Sequence, residues 1–279
     1  MSDDKTTTAI YPEKADEVTP EIIEMVEAGV FYGLSKTKTN PKMKHYVLVN
    51  RGGIEILNLA KTAEAMEKAE GFIKEAMRQG GMPIIVATQP AASEIVLQMA
   101  KKIKVPYVVT RWPGGALTNF GIILKRIEYF MKLRSDLASG AFNQYTKKER
   151  VLLEKELNKL RGLFEGLEMM TKLPDFLITI DPVLHHTAVR EANRIKIPVV
   201  ALASVDTDPD KISYLVPGND NARKSVEWFF DRVEKAIASG LAMKVEKKEP
   251  VPADDNLSHK STGEARHGRQ GAAKEVGAL

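Results

Sequence analysis

Residues 176–203 read FLITIDPVLHHTAVREANRIKIPVVALA, and this stretch decides the fold class. Two apolar runs, Phe176–Ile180 and Pro198–Ala203, flank an amphipathic segment at about 185–195. Short runs that are apolar throughout are typical of strands buried on both faces. A helix between two such strands returns the chain so that the strands run parallel. The stretch therefore predicts a βαβ unit in a parallel sheet.

The same alternation occurs nearer the N-terminus. Strands are predicted at Pro83–Ala87 and Val105–Val109, and helices at about 60–79, 91–102 and 220–239. Before them, a short helix is predicted to begin at Thr19-Pro20 and to end at Gly29, and a polar loop is predicted over 33–44. Two short strands, Tyr46–Val49 and Ile54–Leu59, are predicted to form a hairpin with its turn at Arg51-Gly52-Gly53. The pattern predicts an α/β domain with helices on both faces of a parallel sheet.

The alternation stops between Arg111 and Leu173, where two long helical patterns cover about 118–137 and 147–170. The second pattern has a heptad seam formed by Leu153, Leu157, Leu160, Phe164 and Leu167. We predict an inserted antiparallel coiled-coil hairpin. The alternative is two further helices packed flat on the sheet. The expected organisation is an α/β domain over 18–110 and 171–243, the hairpin over 111–170, a flexible segment over 1–17 and a disordered tail over 244–279.

Charge is distributed unevenly along the chain. The whole chain has a net charge of +4, but residues 29–161 carry twenty-three lysines and arginines against eleven carboxylates, a net +12. Residues 162–243 carry nine against twelve, a net −3. A strongly cationic half favours a polyanionic partner, because cations set against phosphates release condensed counterions. A basic face that only keeps the protein soluble is the alternative.

Several functional classes are excluded by composition and motifs. The chain has no cysteine, which excludes disulfides, thiolate nucleophiles and iron–sulfur clusters, and it has only five histidines. No apolar run is long enough to span a bilayer, and residues 1–14 do not resemble a signal peptide, so we expect a cytoplasmic protein. Neither a G-x-G-x-x-G fingerprint nor a G-x-S-x-G elbow occurs. We expect no catalytic residues, cofactor or metal.

One alternative keeps an enzymatic function open. Asp181, with His185 and His186, follows one predicted strand, and Asp206, Asp208 and Asp210 follow the next. Ligands of α/β proteins often bind at such strand ends, and hard cations require several carboxylates. A metal- or nucleotide-dependent enzyme is therefore the alternative reading. Helix capping and turn formation explain the same residues.

Nucleic-acid binding has the stronger support. Two windows, 28–54 and 95–127, contain no acidic residue but five and six basic residues respectively. Basic residues on loops and helix ends are suited to contact backbone phosphates. Tyr32, His45, Tyr46 and Trp112 could stack on unpaired bases if they are exposed. The candidate nucleic-acid-binding residues are Lys36, Lys38, Asn40, Lys42, Lys44, Arg51, Arg111, Trp112, Asn119, Lys125, Arg126, Lys147, Lys148 and Arg150.

A series of short motifs resembles one family. They are Ala28–Gly33 with Asn40–Met43, Ala91-Ala92-Ser93, Arg111-Trp112 with Gly114-Gly115 and Leu117-Thr118-Asn119, Leu173-Pro174-Asp175, Asp181-Pro182, Glu191-Ala192, Ile197-Pro198-Val199, Asp208-Pro209-Asp210 and Pro217–Asp220. In this order and spacing, over about 20–240, they resemble the bacterial-type second small-subunit ribosomal protein. The chain is identified as a divergent member because Phe31 and Leu34 stand where that family usually has histidine.

The resemblance implies a flavodoxin-like α/β domain with a coiled-coil hairpin insertion. It also implies a structural constituent of the small ribosomal subunit that binds small-subunit rRNA, with no catalytic residues. The implied partners are that rRNA, other small-subunit proteins and the large mRNA-binding protein numbered one, and the implied location is the ribosome in the cytoplasm.

Overall fold

The computed structural model describes residues 19–243, and the stretch quoted first forms the predicted βαβ unit. The helices are α1 (Pro20–Glu27), α2 (Leu59–Arg78), α3 (Pro90–Ile103), α4 (Phe120–Ala138), α5 (Lys147–Phe164), α6 (His186–Arg194) and α7 (Arg223–Ala242). The strands are β1 (Tyr32–Ser35), β2 (Val47–Arg51), β3 (Ile54–Leu57), β4 (Pro83–Val86), β5 (Tyr107–Val108), β6 (Phe176–Ile180), β7 (Val199–Ala203) and β8 (Tyr214–Pro217). Short 3-10 segments cover Lys36–Lys38, Pro41–Tyr46, Ala141–Gln144, Glu165–Leu167 and Pro209–Lys211.

Five parallel strands form the main sheet in the order β5-β4-β6-β7-β8. In register, Ile85 of β4 lies beside Ile178 of β6, and Ile178 lies beside Val200 of β7. Every residue of β4, β6 and β7 is buried. This is why these three strands are apolar except at Thr179 and could be recognised as strands from sequence. β8, which ends in Pro217, lies at one edge of the sheet, where a missing backbone N–H is tolerated.

Alternate side chains of the strands enter two different cores. Phe176, Ile178 and Val200 belong to a cluster that includes buried side chains of α1, α2, α3 and α7. Leu177 and Val199 belong to a second cluster with α4, α5 and α6. The predicted parallel sheet with helices on both faces is therefore confirmed, and it is the flavodoxin-like part of the expected architecture. None of the helices within 19–243 is long and apolar enough to cross a membrane.

A second, smaller sheet is antiparallel, in the order β1-β3-β2. The predicted hairpin turn at Arg51-Gly52-Gly53 is confirmed, and both glycines have positive φ angles, of 56° and 83°. The prediction of a loop over 33–44 was wrong, because this segment contains most of β1 and two 3-10 segments. A side chain at Gly33 would place its Cβ only 2.8 Å from the carbonyl oxygen of Glu55, so the glycine allows β1 to approach β3.

No strand interrupts residues 111–170, as expected, and α4 and α5 pack against each other. Leu157, Leu160 and Phe164 of the heptad seam are buried, together with Ile123, Ile127 and Phe130 of α4. The prediction that the second helix reaches residue 170 was wrong, since α5 ends at Phe164 and a 3-10 turn follows. There Gly166 lies so close to the carbonyl oxygen of Tyr107 in β5 that a Cβ would overlap that oxygen. The segments predicted to be flexible and disordered, 1–17 and 244–279, lie outside the described residues.

Candidate nucleic-acid interface

The first predicted basic segment, 36–51, lies on the outside of the small sheet and its 3-10 turns. Lys36, Lys38 and Lys44 are exposed, and so is Arg51 at the end of β2. Asn40 has a capping role, because its Oδ1 accepts a hydrogen bond of 3.0 Å from the backbone N–H of Lys42. The backbone N–H of Asn40 also donates to the carbonyl of Val205, at 2.7 Å, which joins the segment to the main sheet. The exposed cations of this segment are suited to contact phosphates.

The charge of Lys42 is compensated within the chain. Its Nζ forms ion pairs with Asp208, at 3.2 Å, and with Asp210. The hydrogen bonds that Lys42 donates to Asp210 and Asp208 raise the pKa of Lys42 above its ordinary value. The two nearby negative charges therefore oppose the binding of a phosphate at Lys42. The sequence did not predict these pairs, because Asp208 and Asp210 follow Lys42 by 166 and 168 residues.

The turn at 111–119, which leads into α4, is fixed by the buried carboxylate of Glu191 in α6. Its Oε1 accepts hydrogen bonds from Trp112 Nε1 (3.1 Å) and the backbone N–H of Gly115 (2.8 Å). Its Oε2 accepts from the backbone N–H of Leu117 (3.0 Å) and from the N–H and hydroxyl of Thr118 (both 3.3 Å). We call residues 112–118 with Glu191 the Glu191 clasp.

The electrostatics of the clasp follow from burial and hydrogen bonding. Burial alone would raise the pKa of Glu191, but the bonds from Gly115, Trp112, Leu117 and Thr118 outweigh it and hold the pKa below its ordinary value. The ionised carboxylate therefore fixes the backbone that presents Arg111 and Asn119, both of which are exposed. Sequence reasoning missed this role of Glu191. The available signal was a carboxylate on the buried stripe of a helix, beside Ala188 and Ala192.

The aromatic candidates lie in different environments. Trp112 is half-buried against the second core and its N–H is bound to Glu191, so it anchors the turn. Tyr32 is 49% exposed, with its ring centroid 4.1 Å from that of Phe31. His45 is exposed and its ring centroid lies 3.9 Å from that of Tyr46. Among the candidates, Tyr32 and the His45–Tyr46 pair are accessible for stacking.

The candidate cations of α4 and α5 are on the outside of the helix pair. Lys125, Arg126, Lys147 and Lys148 are exposed and Arg150 is half-buried. The N-terminus of α5 is stabilised by a capping box, in which Thr146 and Glu149 bond each other's backbone N–H. A groove of about 480 Å³ between the helices has an apolar floor and the basic rim residues Arg126, Lys155 and Lys159. The two helices therefore present a predominantly cationic outer surface.

The strand-end carboxylates do not form one centre. Asp208 pairs with Lys42 and, at 3.1 Å, with Lys211, and Asp181 accepts from Gln89 Nε2 at 2.8 Å. Within residues 19–243, no group of three or more histidines and carboxylates is arranged to hold a metal ion. His185 is buried and bonds Thr88, whereas His186 is exposed. Hydrogen bonding and ion pairing thus explain Asp181, Asp208 and Asp210.

A further carboxylate, at the end of the motif Pro217–Asp220, lies nearby. Asp220 is almost completely buried and accepts a hydrogen bond of 2.6 Å from Asn221. Burial, together with the charges of Asp181 and Asp206, raises the pKa of Asp220 to about 7. Burial and Asp181 also raise the pKa of Asp206. At the carboxyl end of the sheet, Asp220 is therefore partly protonated near neutral pH.

Comparison with known proteins gives a consistent result. A family model described as ribosomal protein S2 matches residues 25–240. The chain is 39% identical over 214 residues to the small ribosomal subunit protein uS2 of Thermus thermophilus, covering 77% of this chain and 84% of that protein. It is 37% identical over 234 residues to the uS2 protein of Dictyoglomus thermophilum, covering 84% and 95%. With the uS2 protein of Bdellovibrio bacteriovorus it shares 41% identity over 217 residues, covering 78% and 69%.

Proposed function

The chain belongs to the ribosomal protein S2 family, and on this premise we propose that it is a structural constituent of the small ribosomal subunit that binds small-subunit rRNA. The observation that carries the proposal is the family match, which spans both the sheet and the inserted helices. Members of this family are structural, non-enzymatic components of the ribosome. The alternative of a metal- or nucleotide-dependent enzyme is therefore set aside.

Three basic surfaces would contact the RNA. The first is the segment with Lys36, Lys38, Lys44 and Arg51, which also includes Asn40 and the compensated Lys42; the second is the turn with Arg111, Trp112 and Asn119; the third is the outside of α4 and α5, with Lys125, Arg126, Lys147, Lys148 and Arg150. Their exposed cations support contacts with the phosphate backbone, which fix position and give strong dependence on salt. Trp112 would act by holding the turn, because its indole is bound to Glu191.

We propose that residues 111–170 act as a coiled-coil arm on an α/β platform formed by 18–110 and 171–243. The shared buried seam of α4 and α5 supports this division, since each helix covers the apolar face of the other. The seam is also continuous with the second core of the sheet, and the backbone at Gly166 lies against the carbonyl oxygen of Tyr107 in β5. The base of the arm is therefore held against the platform while its outer cations stay exposed.

The proposal extends to partners and location. A protein of this family would lie on the ribosome in the cytoplasm, contact other small-subunit proteins, and support subunit assembly and translation. Docking of the large mRNA-binding protein numbered one is part of the same proposal, and it rests on the family resemblance. No cofactor is required for these contacts.

Sedimentation of the tagged full-length protein from a cell lysate tests the proposal. We expect co-migration with the small subunit and release at high salt, because each phosphate contact contributes about one unit to the slope of log affinity against log salt. Lys147→Ala/Lys148→Ala should lower this slope measurably, while the matched pair Lys224→Ala/Lys235→Ala on α7 should not. Sedimentation separate from the small subunit would refute the function.

A further inference from the structure

A second candidate binding site is separate from the Glu191 clasp. It lies where three parts of the chain meet: the 3-10 segment Pro41–Tyr46, helix α2, and the residues before and within β8. These elements enclose a pocket of about 370 Å³. We call it the aromatic pocket, and its lining includes His45, Tyr46, Lys61, Glu64, Lys68 and Tyr214. A pocket of this size accommodates a nucleobase with its sugar.

The rings of the pocket provide surfaces for stacking. His45 is exposed, and its ring is tilted by 43° against that of Tyr46 at a centroid distance of 3.9 Å. Tyr46 and Tyr214 are half-buried, and the ring of Tyr214 is held by stacking on Phe72 at 4.3 Å. Two of the rings are thus positioned by the cores while the third, His45, is accessible. Stacking on such rings is how proteins bind bases that are not paired.

The lysine side chains of the pocket favour a negatively charged group such as a phosphate. Lys61 and Lys68 are exposed on α2, two turns apart and on the same face. Glu64, the one carboxylate in the lining, forms an ion pair of 2.6 Å with Lys68. The Nζ of Lys61 donates to the carbonyl of His45, which brings this cation to the histidine end of the pocket. Because Lys68 is paired with Glu64, the positive charge that remains beside the aromatic rings is that of Lys61.

We propose that the aromatic pocket binds one unpaired nucleotide of RNA, with the base against His45 and Tyr46 and a phosphate at Lys61. This inference rests on the proposed function, because the RNA that supplies the nucleotide is the one the protein binds. A duplex would not fit this role, since its bases are stacked inside the helix. The basic surfaces would contact phosphates through charge alone. The pocket would add a contact that requires the RNA to be single-stranded.

The test uses full-length protein and a short single-stranded oligouridine that contains 4-thiouridine. An RNA hairpin duplex that also contains 4-thiouridine serves as the comparison. We expect the single strand to bind and, on irradiation, to cross-link to the peptide that contains His45 and Tyr46. His45→Ala should weaken binding about tenfold, the loss expected for one stacking contact. His45→Phe should restore it, and His186→Ala, a change of an exposed histidine on α6, should leave it unchanged.

The results separate the pocket from the wider function. If His45→Ala binds the oligonucleotide within about twofold of the wild type, or if cross-links map elsewhere, the pocket is not a nucleotide site. Failure to bind the single strand at all overturns the inference equally. In each case the protein can still co-sediment with the small subunit, and then the proposed function stands. Separate sedimentation refutes the function whatever the oligonucleotide does.

Discussion

Replacement of Glu191 by glutamine tests the clasp, because it removes the charge and one acceptor oxygen with almost no change of shape. The five hydrogen bonds to this side chain all come from donors, two at Oε1 and three at Oε2. An amide nitrogen at either position would face donors. The less costly arrangement places it at Oε1, which leaves the N–H groups of Trp112 and Gly115 without an acceptor.

The expected loss follows from those two donors. A buried donor without a partner costs about 1–3 kcal/mol, and these two are only partly buried, so we expect the free energy of unfolding to fall by about 2–4 kcal/mol. Urea unfolding followed by circular dichroism measures this loss. Hydrogen exchange at residues 115–118 should show that protection is lost first in the turn. Glu67→Gln, at an exposed position on α2, is the matched control and should change stability by less than about 0.5 kcal/mol.

Acid should reproduce the effect of the substitution. The folded-state pKa of Glu191 lies below its ordinary value, so its contribution to stability is present above the pKa of the unfolded carboxyl and is lost as pH falls through the folded-state pKa. The Glu191→Gln protein should lack this part of the acid sensitivity. Equal stability of wild type and variant at neutral pH, with unchanged protection at 115–118, would refute the reasoning.

Three further expectations follow from other contacts. The pKa of Asp220 is raised to about 7, so the contribution of this carboxyl to wild-type stability falls as pH rises from about 4 to above 7. Asp220→Asn should remove up to about 4 kcal/mol of that loss, as measured by urea unfolding of both proteins at the two pH values. Gly166→Ala should lower the melting temperature because its Cβ would overlap a β5 carbonyl, whereas Gly71→Ala, in open space on α2, should raise it slightly. Lys44→Ala should lower the salt slope of rRNA binding by about one unit and Lys42→Ala by clearly less, because Lys42 is compensated; equal slopes would contradict this.

The parts of the fold that could be predicted are those where burial dictates composition. β4, β6 and β7 are buried on both faces, so their residues are apolar except for Thr179, whose hydroxyl donates to the carbonyl of Val86. β1 was missed because it has only four residues, includes Gly33 and pairs with a shifted register. β8 was missed because it ends in a proline, which an edge strand tolerates but a sequence pattern treats as a break.

The candidate site was predictable to a different extent. Lysines and arginines stay in water, so the exposure of Lys36, Lys44 and Lys147 follows from residue type. Partners that are distant in sequence do not follow. The pairing of Lys42 with Asp208 and the capture of the turn by Glu191 depend on how the loops meet over the sheet, which neither spacing nor periodicity encodes.

The Glu191 clasp also has a consequence for the order of events during synthesis. The chain is made from its N-terminus, so the turn at 112–118 and the helices α4 and α5 leave the exit tunnel before Glu191 has been added. The two helices can pair by local contacts, but the backbone N–H groups of the turn cannot donate to the Glu191 carboxylate until α6 emerges. The conformation of the turn is therefore set late, by a residue more than seventy positions downstream of the segment it holds.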